Sequence, residues 1–296
     1  MAGAALVFPG QGSQKEGMAQ AWRGHEAFAR WAEADELLGR DVTRLGLDAP
    51  AKELRQPVNC QVALFVHHVV LLEAWRAAGG ALPVAVAGHS LGEYNALVAA
   101  GVLSFPDGLR LVDARARVTQ EAADAKPGTM AACLGFDVER VREACAAAGA
   151  YLANDNATGQ VVAAGSEPAL YRLKELLAPE RGKVVDVNVG AAYHSPHMAQ
   201  AAEAFRAVLD TTGFADAAVP VVANVDAAPH TAGSDWPGLL REQLVAPVRW
   251  RETIATLASM GAGQVVELGA SAVLTGMVKR TDRSLGRRNV ITPEDL

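Results

Sequence analysis

Residues 84–92 read Val84-Ala85-Val86-Ala87-Gly88-His89-Ser90-Leu91-Gly92, a run of small and β-branched residues that leads straight into Gly-x-Ser-x-Gly. Such a run predicts a buried strand from Pro83 to Ala87. Behind it Glu93-Tyr-Asn-Ala-Leu-Val-Ala-Ala100 predicts a helix that Gly101 ends. Where a strand turns sharply into a helix, neither flank of the turn has room for a side chain. Glycines at 88 and 92 meet that need, and the strained turn between them lifts the hydroxyl above the sheet. Ser90 is therefore the candidate covalent nucleophile. The plainer reading, a glycine-rich turn whose serine caps the next helix, is weaker given the strand and helix that flank it. His89 should face away from Ser90 and is read as packing.

Outward from this turn the chain alternates helices with short apolar strands, expected at 5–8, 85–87, 219–223 and 264–268, with amphipathic helices such as 62–77 between them. A parallel α/β sheet is the economical architecture, with ligands in the crevice at the strands' carboxyl ends. The character changes near Lys126-Pro127-Gly128 and again near Gly190. The intervening stretch reads as strand 130–134, helix 138–148, strand 151–154, a turn at 156–159, strand 160–164, helix 168–177 and strand 183–189. That order is the βαββαβ of a ferredoxin-like subdomain. The expected division is a catalytic core from 1–126 and 191–296 with an inserted unit at 127–190.

The 296 residues, half of them hydrophobic, suffice for a large core in one or two domains. No apolar run is expected to span a bilayer, which takes about 20 residues. The apolar start lacks a cationic flank and is read as the first strand, not a signal peptide. Cys60, Cys133 and Cys145 form an odd set without CxxC spacing, so neither a disulfide framework nor a zinc site is expected, and a reducing cytoplasm follows. A net charge of -6 and a pI near 5.7 give no reason to expect nucleic acid. The end of the chain differs, because Lys279, Arg280, Arg283, Arg287 and Arg288 gather within ten residues. The bland reading of that run is a solvated tail.

A serine hydroxyl needs a base to take its proton. Seven histidines are present. His25, His67 and His68 lie on helical patterns and His230 in a Pro/Gly/Ala loop, so each is read as surface or packing. The segment Gly190-Ala-Ala-Tyr193-His194-Ser195-Pro196-His197 instead re-enters the core after the inserted unit, at the rim of the expected cleft. His194 is favoured over His197, because Pro196 should open a helix and leave His197 in its first turn.

The motifs now in hand resemble those of the malonyl-CoA:acyl carrier protein transacylase family, whose relatives include the acyltransferases of polyketide synthases. The resemblance runs nearly end to end through Phe8-Pro-Gly-Gln11-Gly-Ser-Gln14, Gly88-His-Ser90-Leu-Gly-Glu-Tyr, Arg110-Leu-Val-Asp-Ala-Arg115, Asn154-Asp-Asn156-Ala-Thr-Gly-Gln, Tyr193-His194-Ser195, Val222-Ala-Asn224-Val-Asp226, Pro247-Val-Arg249-Trp250 and Val273-Leu-Thr-Gly276. It implies an α/β-hydrolase-like core carrying a ferredoxin-like insertion. It implies ping-pong transfer, with Ser90 taking the acyl group from coenzyme A and a carrier protein's phosphopantetheine thiol collecting it. His194 would be the base, oriented by a backbone carbonyl near Arg249 in place of a carboxylate. Leu91 and Gln11 amides would hold the oxyanion. Arg115 would clamp the malonyl carboxylate through its planar fork, with Gln61, Tyr193 and Asn156 as further substrate contacts. Lys279, Arg280 and Arg283 are the candidate docking surface for an acidic carrier. No cofactor or metal is implied, and a cytoplasmic monomer is expected.

Three departures stand out. Arg249 replaces the glutamine usual in fatty-acid enzymes, Gly269-Ala-Ser-Ala272 replaces Gly-Pro-Gly-Lys, and Ala191-Ala-Tyr193-His194 occupies the tetrapeptide that varies with acyl choice. The competing class is an acyl hydrolase or thioesterase, in which water replaces the thiol as acceptor. Arg115 separates the two, since a hydrolase of neutral acyl groups gains nothing from a buried guanidinium. A non-catalytic docking protein would need none of Ser90, His194, Arg115 and Gln11.

Overall fold

The computed structural model describes residues 3–187 and 189–296. Among them ten strands follow in chain order: β1 (Gly3–Phe8), β2 (Ala85–Gly88), β3 (Thr129–Leu134), β4 (Tyr151–Ala157), β5 (Gln160–Gly165), β6 (Lys183–Val187), β7 (Val221–Val222), β8 (Pro229–His230), β9 (Ala262–Leu268) and β10 (Gly286–Val290). Six make a sheet in the order β10-β9-β1-β2-β7-β8, parallel except for β8, which returns antiparallel on β7. β1 and β2 sit at its centre, covered on both faces, which is why they consist of Ala, Val, Leu, Phe and Gly without polar alternation. The other four strands form an antiparallel sheet, β4-β5-β3-β6, in which the first and third strands of a βαββαβ unit lie side by side. Its helices Val138–Ala148 and Glu167–Leu177 pack on one face, where Val141, Leu170 and Leu173 of the helices share a core with Cys133, Val161 and Ala163 of the strands.

Backbone pairing and an ion pair are among the contacts that hold the small sheet over the carboxyl ends of the large one. β4 pairs with the segment before the helix Trp250–Ser259, where Asp155 N donates to Val248 O and Val248 N to Ala153 O, both at 2.9 Å. Arg251 then meets the buried Asp155 carboxylate at 2.8 Å. Burial raises the worth of such a pair above that of an exposed one, because little water screens it.

Four sequence expectations are corrected. The helix expected at 62–77 is Pro57–Ala77, with Pro57 in its first turn. Its 21 residues are long and apolar enough to cross a bilayer, yet most of them are buried inside the fold. Because it is apolar nearly all round, periodicity marked neither its start nor its length. The strand at 219–223 shrinks to the two residues of β7, and His230, read as loop, lies in β8, since two-residue pairings carry no alternation to read. The basic tail contains β10, an edge strand whose Arg288 guanidinium lies 4.9 Å from the Trp75 ring. Charge is common on edge strands, where it discourages pairing with other chains. The strand read at 183–189 is described as far as Val187, and Asn188 lies outside the described residues.

Candidate active site

The turn after β2 is as tight as its glycines suggest. A Cβ at Gly88 would sit 1.9 Å from the Gly92 backbone, and one at Gly92 would sit 2.0 Å from Phe8 O. Between them Ser90 takes φ 52°, a left-handed conformation that costs a non-glycine residue about 1–3 kcal/mol unless its surroundings enforce it. The surroundings are specific. Ser90 N donates to Asn224 Oδ1 at 2.7 Å, and Ser90 O accepts from Gln243 Nε2 at 2.9 Å. Asn224 leaves the carboxyl end of β7 beside β2, and its amide also donates to Gly88 O at 2.6 Å. The strained serine is thus clamped on both peptide groups by side chains from distant segments.

Ser90 Oγ lies 2.8 Å from His194 Nε2. On the other side of the ring, His194 Nδ1 donates to Gln243 O at 2.8 Å. The orienting carbonyl expected near Arg249 therefore belongs to Gln243. Gln243 ends the helix Trp236–Gln243, where carbonyls lack intrahelical donors and carry the negative end of the helix dipole. Such an oxygen fixes the proton on Nδ1, leaves the Nε2 lone pair facing the serine, and favours a transient imidazolium. Arg249 instead pairs with Glu252 at the surface, and its backbone N–H donates to Asn224 O at 2.9 Å. Burial, with the Arg115 charge second, pushes the His194 imidazole down to about 3. The imidazole is neutral at any ordinary pH, as a base would need to be. His197 occupies a separate 3₁₀ turn, Pro196–Met198, and packs against Tyr151.

Arginines 110, 115 and 117 share the helix Phe105–Ala125 and separate by facing. Arg110 pairs with Asp107 and Arg117 with Asp113 on the exposed side. Arg115 falls on the inward stripe and is 3% exposed. Its Nη1 donates to Gln61 Oε1 at 2.5 Å, and its Nη2 donates to Ser90 Oγ at 3.0 Å and Gln243 Oε1 at 3.1 Å. The guanidinium also lies 5.6 Å from the Tyr94 ring centroid. A buried cation with no carboxylate among these partners is a site prepared for an anion.

Ser90, His194 and Arg115 open on a cavity of about 200 Å³ between the two sheets, shared with Gln11, His89, Asn156, Tyr193 and Met277. The Leu91 and Gln11 amides make no hydrogen bond to another described residue, so both remain available as donors. At Gly10 a Cβ would come 2.6 Å from His89 O, so glycine lets the Gln11 loop press against the elbow. His89, read as packing alone, lines the same cavity as Ser90; it packs on Trp250 and meets Asn156 Oδ1 at 2.7 Å, tying the elbow to the small sheet. Tyr193 is buried beside His194, and its hydroxyl has no partner among the described residues. Val273, Leu274 and Met277 close the cavity from the helix Leu274–Thr281. The buried Glu267 carboxylate caps the start of that helix, accepting from the amides of Val273, Leu274 and Thr275. Lys279 and Arg280 are exposed at its far end and Arg283 just beyond it, and Arg280 reaches Gln160 of β5.

Three residues of the site had no role in the sequence reading: Glu93, Asn224 and Gln243. The first two stood inside quoted motifs, and Asn224 follows the strand expected at 219–223, which was the available signal. Gln243 had none, lying on an ordinary amphipathic helix. Asp186, close before His194 in sequence, is held by Lys174 at 2.6 Å on the small sheet.

A family model described as acyl transferase domain matches residues 5–294. The malonyl CoA-acyl carrier protein transacylase of Bacillus subtilis (strain 168) is 38% identical over 301 residues, covering 99% of this chain and 94% of that protein. Among solved structures, the malonyl-CoA:acyl carrier protein transacylase of Xanthomonas oryzae pv. oryzae superposes with a TM-score of 0.95 at 40% identity, covering 100% of this chain and 96% of that one. A malonyl-transacylase solved in complex with its type II polyketide synthase acyl carrier protein gives a TM-score of 0.96 at 35% identity, covering 99% and 97% of the two chains. Sequence and fold agree over essentially the whole length, and the chain belongs to the acyl transferase domain family, the family of the malonyl CoA-acyl carrier protein transacylases.

Proposed function

We propose that this chain moves a malonyl group from malonyl-CoA to the phosphopantetheine thiol of an acyl carrier protein through a malonyl ester on Ser90. Ser90 Oγ attacks the thioester carbon while its proton passes to His194 Nε2. The oxyanion of the tetrahedral intermediate is met by the Leu91 and Gln11 amides, already in place and so needing no reorganisation. On collapse the carbon–sulfur bond breaks, and the coenzyme A sulfur leaves with the proton from His194. The carrier thiol repeats these steps in reverse order: it gives its proton to His194 and attacks the ester carbon, the bond from that carbon to Ser90 Oγ breaks, and His194 returns the proton to Ser90 Oγ. Nucleophile, base, oxyanion donors and anion clamp are all protein groups, so the chemistry asks for no cofactor. In this reading 1–126 and 191–296 form the catalytic core, 127–190 covers it, and the enzyme works as a cytoplasmic monomer.

The observation that carries the reading is the buried Arg115 guanidinium in contact with the nucleophile itself. An acyl group with a distal carboxylate supplies the missing anion, while Gln61 and Gln243 hold the fork and Tyr193 and Asn156 bound the space around it. Arg115→Ala should lower malonyl transfer by roughly 10² or more, because each hydrogen bond to a charged group is worth about 1.5–3 kcal/mol. Acetyl transfer should be spared or improved, so selectivity inverts. Arg115→Lys should rescue malonyl transfer only in part, since it restores charge without the fork. Equal losses for both acyl groups would make Arg115 structural and remove the support for a carboxyacyl substrate.

An acidic carrier meets a chain of net charge -6, so a local basic surface must offset the repulsion. Lys279, Arg280 and Arg283 stand at the end of the helix whose start lines the cavity. Reversing their charges should weaken carrier capture and flatten its salt dependence while leaving Ser90 acylation by malonyl-CoA largely intact. Separate rates for the two half-reactions check this, and equal losses in both would remove the docking role.

A further inference from the structure

Glu93 is a carboxylate buried to 1% exposure one turn beyond the nucleophile, and no step above uses it. Its partners are uncharged N–H donors only. Oε1 accepts from Asn224 N at 2.7 Å and Asn224 Nδ2 at 2.9 Å, and Oε2 accepts from Gln243 Nε2 at 2.6 Å. The cation nearest in the network is Arg115, separated from it by the Gln243 side chain: Nε2 faces Glu93 and the Ser90 carbonyl, and Oε1 faces Arg115 Nη2.

An amide has two ends of opposite character, and only its surroundings decide which way it points. An ionised carboxylate can only accept, so it requires the Gln243 NH₂ on its own side and leaves the oxygen for the guanidinium. Were the amide reversed, its NH₂ would confront Arg115, which has no acceptor, and the Ser90 carbonyl would lose its donor. We infer that Glu93 is a positioning residue for acyl selection: its carboxylate locks the Gln243 amide in the orientation that anchors Arg115 and braces the strained Ser90 peptide. The inference rests on the malonyl-transfer reading above.

The ionisation of Glu93 then matters. Burial pushes its carboxyl up to about 7, against the pull of the Asn224 and Gln243 donors and of Arg115; Asp226 adds to the rise. Arg115 on the neighbouring helix and Asp226 after β7 are the charged groups facing it, while His194 and His89 are held neutral by burial. Above about pH 7 the carboxylate locks the amide. Below it, the protonated carboxyl must donate, and the Gln243 oxygen becomes a competing acceptor. Preference for malonyl over acetyl should therefore fall as pH drops through about 7.

The test measures Ser90 acylation by malonyl-CoA and acetyl-CoA, by intact mass over time and across pH, for the wild type, Glu93→Gln, Gln243→Met and the double variant. Gln243→Met keeps the backbone carbonyl that holds His194 and removes only the amide. Each single variant should lower the malonyl-to-acetyl ratio of kcat/KM about 10-fold or more, mainly through KM for malonyl-CoA, and should erase the pH dependence of that ratio. The double variant should lose no more than the worse single one, because both act through one amide. An unchanged ratio and pH profile with only a lowered melting temperature, or losses that add, would overturn the inference. If Glu93→Gln fails to fold, the ratio for Gln243→Met decides alone. A wild type that does not load malonyl on Ser90 refutes the malonyl-transfer reading instead, and so the two failures are distinguishable.

Discussion

Incubated with malonyl-CoA and no acceptor, the Ser90→Ala variant should keep its unmodified mass, whereas the wild-type chain should gain one malonyl group. This is the largest effect expected, because no other group can take the place of the elbow hydroxyl. The three cysteines are the only rival nucleophiles of comparable chemistry, and all are buried. Burial pushes the thiols of Cys60 and Cys145 up to about 12 and that of Cys133 to about 11, so thiolate is scarce at neutral pH. Peptide mapping of the labelled wild type locates the ester. A label on cysteine, or one undiminished in the variant, would sink the assignment of Ser90.

The second large effect is on rate. His194→Ala should slow acylation by a factor on the order of 10² to 10⁴, the usual worth of a positioned base, while His197→Ala should do much less. The two side chains are three residues apart, yet only His194 touches Ser90 Oγ, at 2.8 Å. The same geometry sets a pH dependence. A histidine pushed down to about 3 is neutral, and competent as a base, at every pH above that value. Acylation by acetyl-CoA should thus stay flat between about pH 5 and 8, with no acid limb near the ordinary imidazole range of about 6.5. Quenched-flow acylation rates across that range check the expectation. A limb near about 6.5 that disappears in His194→Ala would show a solvated imidazole, contrary to its burial behind Gln243 and Arg115.

Much of this site was legible before any fold was known. The elbow is a local steric statement: Gly88 and Gly92 are required within five residues of each other, and the close approaches of 1.9 and 2.0 Å show why. The βαββαβ order of the small sheet was also local, since alternation and turn residues repeat within each element. Arg115 was harder. Its helix carries three arginines within eight residues, and without the resemblance nothing in their spacing told the buried one from the two in surface ion pairs. β10 was missed because an edge strand tolerates the charges that otherwise mark a solvated tail.

What the chain determined by itself is therefore the candidate nucleophile, the strand and helix that present it, the two-sheet architecture, and the segment that returns a histidine to the cleft. Each of these follows from backbone sterics or hydrophobic period within a few residues. Only the tertiary structure decided which carbonyl holds the imidazole, what braces the strained serine, and what anchors the Arg115 guanidinium. Those contacts join His194 to Gln243 across 49 positions, Ser90 to Asn224 across 134, and Glu93 to Gln243 across 150. A hydrogen bond over such separations leaves no periodicity in the sequence, because the partners meet only when the ends of different helices and strands converge on one crevice.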